Sequence, residues 1–149
     1  MLKYLLILFV IAVALAPLTH FLPSKRQRLI ARMREYAAVH GLFVEFRDLP
    51  ARERSHERKE RKQQNIYYGK RLPPSPKESR KRTAWIRDES GWMSLSRKVA
   101  APAALESMPA SILAASLDEG SCGVYWREAG DEADVELIVV GLQAWQDEL

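Results

Sequence analysis

The chain has 149 residues, 23 Lys and Arg against 19 Asp and Glu for a formal charge of +4, 47% hydrophobic residues and one Cys. This length suits one modest domain, and the mixed composition with four Trp excludes a collagen-like chain, a coiled-coil rod and a wholly disordered tail. A single Cys excludes a fold held together by internal disulfide bonds.

An uncharged apolar run at residues 4–22 predicts one N-terminal transmembrane helix. At about 1.5 Å per residue, a helix over this run is roughly 28 Å long, close to the hydrocarbon thickness of a bilayer. The alternative is a cleaved signal peptide, because Ala-Leu-Ala at 14–16 resembles a cleavage site. Pro17 would directly follow that cut, and the apolar run continues beyond it. We therefore expect residues 1–22 to be an uncleaved transmembrane anchor.

Basic residues cluster directly after this run, whereas Lys3 alone precedes it. The positive-inside rule then places the C-terminal domain in the cytoplasm and the N-terminus outside, in a single-pass protein of the plasma (inner) membrane. The same cluster is the predicted membrane-surface contact, with anionic lipid headgroups as possible partners. Its members are Lys25, Arg26, Arg28, Arg32 and Arg34.

Charge is divided unequally along the remaining chain. Residues 23–98 carry a net charge of +12, and residues 99–149 carry −9. The basic half could bind membrane surfaces or, as the less favoured partner, nucleic acid. Four aromatic residues among the basic ones could stack on single-stranded nucleic acid, although in a small domain we expect them in the core. These are Tyr67, Tyr68, Trp85 and Trp92.

Residues 23–41 predict a basic helix after the anchor. Ser24 and Gln27 have the spacing of a capping box, and Gly41 is a typical helix end. One face of this helix is apolar, so it could lie on a membrane surface or be the first helix of the domain, packed on a sheet. We favour packing on a sheet, because a strand pattern follows directly.

Residues 42–149 predict a small α+β domain in which an antiparallel sheet is flanked by the first and last helices. Strand patterns occur at 42–47, 65–72, 83–88, 91–97, 111–118 and 124–128. The third and fourth form a predicted hairpin through the turn at 88–91. A short helical turn is expected near 102–108, and polar loops near 49–64 and 73–82.

The last helix follows an acidic start at Asp131 and has one apolar stripe. By default the stripe packs on the sheet of the same domain, and the alternative is a partner protein. The possible partner-binding residues are Val135, Ile138, Leu142 and Trp145.

No catalytic, metal or cofactor signature is recognisable. His40, His56 and Cys122 are too few and too scattered for a zinc site. Cys122 lies between glycines in a predicted turn and could be an exposed nucleophile, with a packed thiol as the ordinary interpretation. We therefore expect a protein that is not an enzyme and has no catalytic residues, metal ligands or cofactors.

The N-terminal layout resembles the YajC family, small accessory subunits of the bacterial Sec translocase. The resemblance rests on a short outer end, one span, Pro23 and the run Lys-Arg-Gln-Arg at 25–28, and it covers about the first third of the chain. We expect a non-enzymatic adaptor or accessory module that binds an unidentified protein at the cytoplasmic face of the membrane. The alternatives are an electrostatic membrane-surface or nucleic-acid binder acting through 25–98, or a YajC-like accessory subunit.

Overall fold

The structure is a computed structural model that describes residues 1–50, 65–74, 80–96 and 99–149, apart from the side chains of residues 19–21. Most of the two predicted polar loops and the end of the predicted strand at 91–97 lie outside the described residues. The described part forms an α+β fold with a six-stranded sheet.

The apolar N-terminal run is divided at Pro17. Helix α1 covers Leu2–Leu15, and a 3-10 helix with Pro17 near its start covers Ala16–Phe21. Proline has no N–H group to continue the hydrogen-bond ladder of an α-helix. The 14 residues of α1 are about 21 Å long, against roughly 30 Å of bilayer hydrocarbon.

No helix in the described ranges is both long enough and apolar enough to cross a bilayer. The predictions of a transmembrane helix at residues 4–22 and of a single-pass inner-membrane protein, with the orientation derived from it, are therefore wrong. The physical reason is the end of α1 at Leu15, which the apolar composition of the run does not reveal.

Helix α2 covers Lys25–Val39 and begins with the predicted capping box. The Gln27 amide donates to Ser24 Oγ at 3.2 Å, and the Ser24 amide donates to Gln27 Oε1 at 2.8 Å. Gly41 has a φ of +79°, a conformation that favours glycine after a helix. Met33 and Ala37 of α2 are buried in the main core, so this helix packs as part of the domain.

The sheet is antiparallel throughout, with strand order β1-β2-β6-β5-β3-β4. This confirms the predicted α+β class and antiparallel sheet. The strands are β1 Leu42–Phe46, β2 Ile66–Arg71, β3 Thr83–Asp88, β4 Gly91–Ser94, β5 Ala114–Leu117 and β6 Ser121–Trp126.

The predicted hairpin joins β3 to β4. Both the amide and the hydroxyl of Ser90 donate to Asp88 Oδ1, at 2.8 and 2.6 Å, and Gly91 has a φ of +116°. This is local turn chemistry of Asp and Gly, so the hairpin was predictable from four adjacent residues.

The strands of the acidic half of the chain lie in the middle of the sheet, between strands of the basic half. β5 and β6 come from the acidic half and lie between β2 and β3 of the basic half. The two halves of the sequence therefore build one sheet rather than two lobes of opposite charge.

The main core lies on one face of the sheet, beneath α2, helix α3 (Glu132–Glu148) and the 3-10 helix Ala103–Ser107. Two edge-to-face aromatic pairs lie in it: Trp85 with Trp145, 5.7 Å between ring centroids, and Tyr68 with Trp126, 5.3 Å. We call the other side of the sheet the helix-free face, because none of the described helices covers it. It carries a smaller cluster of Tyr67, Ala114 and Tyr125.

Candidate functional site

The predicted partner-binding stripe of α3 faces the core of its own domain. All four side chains have zero exposure, and they pack with residues of the sheet and of the 3-10 helix Ala103–Ser107. They are Val135, Ile138, Leu142 and Trp145. Because these side chains are buried inside the domain, a binding surface on α3 must be formed by other residues.

The opposite side of α3 exposes two large aliphatic side chains, Leu137 by 48% and Val140 by 61%. Exposed acidic residues lie before and after them, namely Glu132, Glu136, Asp147 and Glu148. We call this set of six residues the outer α3 surface. The sequence contains a signal for it, because residues 137–140 are all aliphatic and a helix cannot turn four consecutive residues toward one core.

The five predicted membrane-surface residues divide into two groups on α2. Lys25, Arg28 and Arg32 are exposed. Arg26 is exposed too, but its Nη1 donates to the carbonyl of Gly130 at 3.2 Å, and Arg34 is ion-paired. Two of the five therefore tie α2 to the segment between β6 and α3.

Arg34 binds the carboxylate of Glu128, a residue that is only 1% exposed. The backbone of Glu128 has a φ of +51°. Arg34 donates to both carboxylate oxygens at 2.7 Å, and the Tyr68 hydroxyl donates to Oε1 at 2.8 Å. The hydrogen bond to Glu128 raises the pKa of Arg34. Burial, and then the hydrogen bond to Glu128, raises the pKa of Tyr68. Three hydrogen bonds satisfy the buried carboxylate, so we interpret this network as structural.

On the helix-free face, a cleft of about 420 Å³ contains a shared carboxylate. Asp118 Oδ1 lies 3.1 Å from Arg82 Nε, and its Oδ2 lies 3.5 Å from Arg47 Nη1. Beside them, the buried Ser116 and Tyr125 hydroxyls form a hydrogen bond of 3.3 Å. We call this the Asp118 cleft; its lining residues are Arg47, Pro50, Arg82, Thr83, Ala84, Ser116, Asp118 and Tyr125.

The four aromatic residues considered for nucleic-acid stacking are not a free platform. Tyr68 and Trp85 are buried in the main core, and Trp92 packs against it. Tyr67 lies on the helix-free face but has zero exposure, and the Arg47 guanidinium lies 4.1 Å from its ring centroid. Stacking of a base requires an accessible ring face, which none of these four residues fully offers.

The Tyr67 ring lies across the paired glycines of β2 and β6. A Cβ on Gly69 would come within 2.4 Å of the ring, as would a Cβ on Gly123. The Tyr67 hydroxyl is buried and has no hydrogen-bond partner among the described residues. Burial raises its pKa to about 12, and the nearby hydroxyls of Ser121 and Ser116 oppose part of that rise.

Cys122 lies in β6 and points into the main core, with zero exposure. Burial raises the pKa of its thiol to about 11. A buried thiol that is protonated at neutral pH is not an available nucleophile. The predicted turn at this position was wrong, because the strand begins at Ser121.

We find no protein-family model that matches the chain, and no curated protein or solved structure that is similar to it. The resemblance of the first third to YajC therefore stays a prediction. Within 1–50, 65–74, 80–96 and 99–149, no three side chains of His, Cys, Asp or Glu come together as metal ligands. His56 lies outside the described residues.

The arrangement thus offers two surfaces on opposite sides of the sheet. The outer α3 surface combines aliphatic and acidic side chains, and the Asp118 cleft combines guanidinium and hydroxyl groups. The outer α3 surface suits binding by burial of apolar side chains. The Asp118 cleft suits binding by charge-assisted hydrogen bonds.

Proposed function

We propose that the chain is a non-enzymatic protein-interaction module that binds its partner through the outer α3 surface. The exposure of Leu137 and Val140 carries the proposal, because both lie on the accessible side of a helix whose other side is anchored in the core. Aliphatic side chains one turn apart on a helix fit a hydrophobic groove of a partner protein.

The outer α3 surface is held in place before any partner binds. The Asp131 side chain accepts hydrogen bonds from the amides of Ala133 and Asp134 at 3.0 and 3.3 Å, which caps α3. The buried stripe fixes the rotation of the helix on the sheet. A surface that is ordered before binding loses little conformational entropy in the complex.

Charge defines the chemistry of the partner. α3 contains five acidic residues and no Lys or Arg. Surfaces that bind each other place opposite charges around an apolar centre. We therefore expect the partner to present an aliphatic groove rimmed by Lys or Arg.

Site-specific cross-linking tests this surface. A photo-cross-linking residue replaces the exposed Ala144 in the full chain, and cross-linked proteins are recovered at low and high salt. The test variant carries Leu137→Gln and Val140→Gln. The matched control is Val39→Gln, an aliphatic side chain with 77% exposure on α2. Deletion of α3 is not suitable, because it removes four side chains of the core.

One defined protein that cross-links at high salt, persists in the control and disappears in the double variant supports the proposal. Apolar contacts survive high salt, whereas purely electrostatic binding weakens steeply. If cross-linking persists in the double variant, the outer α3 surface is not the binding site. If instead the chain recovers only polyanions, at low salt, and loses them when Lys25, Arg28 and Arg32 become Gln, the electrostatic alternative replaces this proposal.

A further inference from the structure

We propose that the Asp118 cleft binds a carboxylate-bearing ligand, held between Arg47 and Arg82. The cleft opens on the helix-free face, on the other side of the sheet from α3. This inference is therefore independent of the proposed protein partner.

Arg47 is fixed before a ligand arrives. Its Nε donates to Glu45 Oε2 at 2.8 Å, and its guanidinium lies 4.1 Å from the Tyr67 ring centroid and 5.9 Å from that of Phe43. A guanidinium stacked on an aromatic ring keeps its N–H groups in one plane and loses little freedom when it binds an anion. Its Nη1 contacts Asp118 only at 3.5 Å, which is the outer limit of a hydrogen bond.

Arg82 provides the accessible half of the site. Its side chain is 87% exposed, and among the described residues it contacts Asp118 through Nε. The two terminal nitrogens of a guanidinium can bind a carboxylate in a fork. An ion pair at such an exposed position contributes little to stability, so an incoming carboxylate can displace Asp118 from Arg82.

Two guanidiniums and one carboxylate line the cleft. The Glu45 carboxylate pairs with Arg47 Nε from outside this lining, so the two arginines are already balanced and a ligand carboxylate has to take the place of Asp118. A dianionic phosphate would approach Asp118 more unfavourably than a carboxylate does, because like charges repel. Asp118 itself shows that a carboxylate fits between these two arginines.

The inner wall of the cleft suits a small organic body. Ala84 and Ser116 are directly paired on β3 and β5, and their small side chains leave space beside the Ser116 and Tyr125 hydroxyls. The volume of about 420 Å³ is within the roughly 300–1,000 Å³ typical of small-molecule sites. The carboxylate could belong to a free organic acid or to an acidic residue of a peptide, and the experiment separates these sources.

The experiment is an NMR titration of the isotope-labelled full chain with two probes. One probe is benzoate, and the other is an amidated Gly-Gly-Asp-Gly-Gly peptide. For a small ligand with few polar contacts we expect a dissociation constant on the order of 1 mM. The amide signals of Ala84, Ser116 and Tyr125 should shift, whereas those of α3 should not.

Two variants move binding in opposite directions. Arg82→Gln should weaken it about threefold to fivefold, because one exposed ion pair is lost. Asp118→Asn should tighten it about fivefold, because the internal competitor loses its charge. Arg32→Gln on α2 and Glu89→Gln in the hairpin are matched controls and should leave it unchanged.

Tighter binding of benzoate by Asp118→Asn identifies a free organic acid as the better source, and tighter binding of the peptide identifies an acidic residue. If neither probe shifts the cleft signals, or if Arg82→Gln binds as the unaltered chain does, the inference is overturned. Weaker binding in Asp118→Asn would also overturn it, because Asp118 would then assist binding rather than compete.

Discussion

Arg34 and Glu128 form a two-point ion pair across 94 positions of sequence, with Nε to Oε1 and Nη2 to Oε2 both at 2.7 Å. The pair joins the middle of α2 to the segment after β6, and its carboxylate is buried. Glu128 also has a left-handed backbone conformation, which is uncommon for a residue other than glycine. One buried charge therefore adds to the apolar packing of Met33 and Ala37 in holding α2 on the sheet.

The first prediction concerns this pair. Arg34→Met should lower the free energy of unfolding by about 3 kcal/mol, because it leaves a buried carboxylate without its counter-charge. Urea denaturation measures the change. Arg32→Met, on the exposed side of the same helix, is the control and should change stability by less than about 0.5 kcal/mol. Equal effects of the two substitutions would show that the Glu128 carboxylate does not need Arg34 as its counter-charge.

The second prediction concerns the adjacent tyrosines of β2. Tyr67→Phe should raise the free energy of unfolding by about 1 kcal/mol, because it removes a buried hydroxyl without a hydrogen bond among the described residues. Tyr68→Phe should lower it by about 2 kcal/mol, because Glu128 loses a hydrogen bond. Thermal and urea denaturation should both show a stabilised Tyr67→Phe and a destabilised Tyr68→Phe. Destabilisation of equal size in both variants would contradict the placement of these hydroxyls.

The third prediction is a loss of stability at alkaline pH. Burial raises the pKa of Tyr67 to about 12, whereas an unfolded tyrosine titrates near pH 10. Above pH 10 the unfolded chain loses this proton first, so stability falls until the folded pKa is reached. Each pH unit in that window costs about 1.4 kcal/mol per tyrosine.

Tyr68 has a raised pKa as well and adds to the same trend. Urea denaturation at pH 9 and pH 11 should show that Tyr67→Phe loses less stability than the unaltered chain, by about 1.4 kcal/mol. Identical losses in the two proteins would mean that Tyr67 titrates normally in the folded state.

The fourth prediction tests the contact between the Tyr67 ring and the glycine two residues later. Gly69→Ala should destabilise the protein by about 2 kcal/mol, because its Cβ would lie 2.4 Å from the Tyr67 ring and 2.5 Å from that of Phe43. Gly120→Ala is the matched control, because no atom lies within 4 Å of its added Cβ. Thermal denaturation of both variants measures the difference, and a fully stable Gly69→Ala would show that the rings can move away.

Local chemistry made part of this fold predictable. The capping box of Ser24 with Gln27 and the turn from Asp88 to Gly91 involve residues three positions apart, and both occur as expected. Strand alternation located the sheet, although boundaries shifted: the predicted strand at 124–128 is β6, Ser121–Trp126. Such signals arise from residues that are neighbours in sequence as well as in space.

Long-range contacts were not predictable in this way. Nothing in the sequence near Arg34 indicates Glu128. Nothing near Asp118 indicates both Arg47, which follows β1, and Arg82, which precedes β3. The predicted partner-binding stripe of α3 lies in the core, because hydrophobic periodicity identifies the side of a helix that packs and not the side that is exposed. The prediction of one helix over residues 4–22 relied on apolar composition and did not take Pro17 as a helix end. In the structure, the α-helix ends at Leu15, two residues before this proline.

The strand order also limits when the sheet of this protein can be completed during folding. β1 pairs with β2, and β3 pairs with β4, but these two pairs do not contact each other as strands, since β5 and β6 lie between them. All six strands can therefore pair into one sheet only after the chain has been synthesised through β6. Until then both pairs have unpaired edges, which are sites of aggregation in a nascent chain. Completion of the sheet therefore depends on pairing between strands that are far apart in sequence, β2 with β6 and β3 with β5.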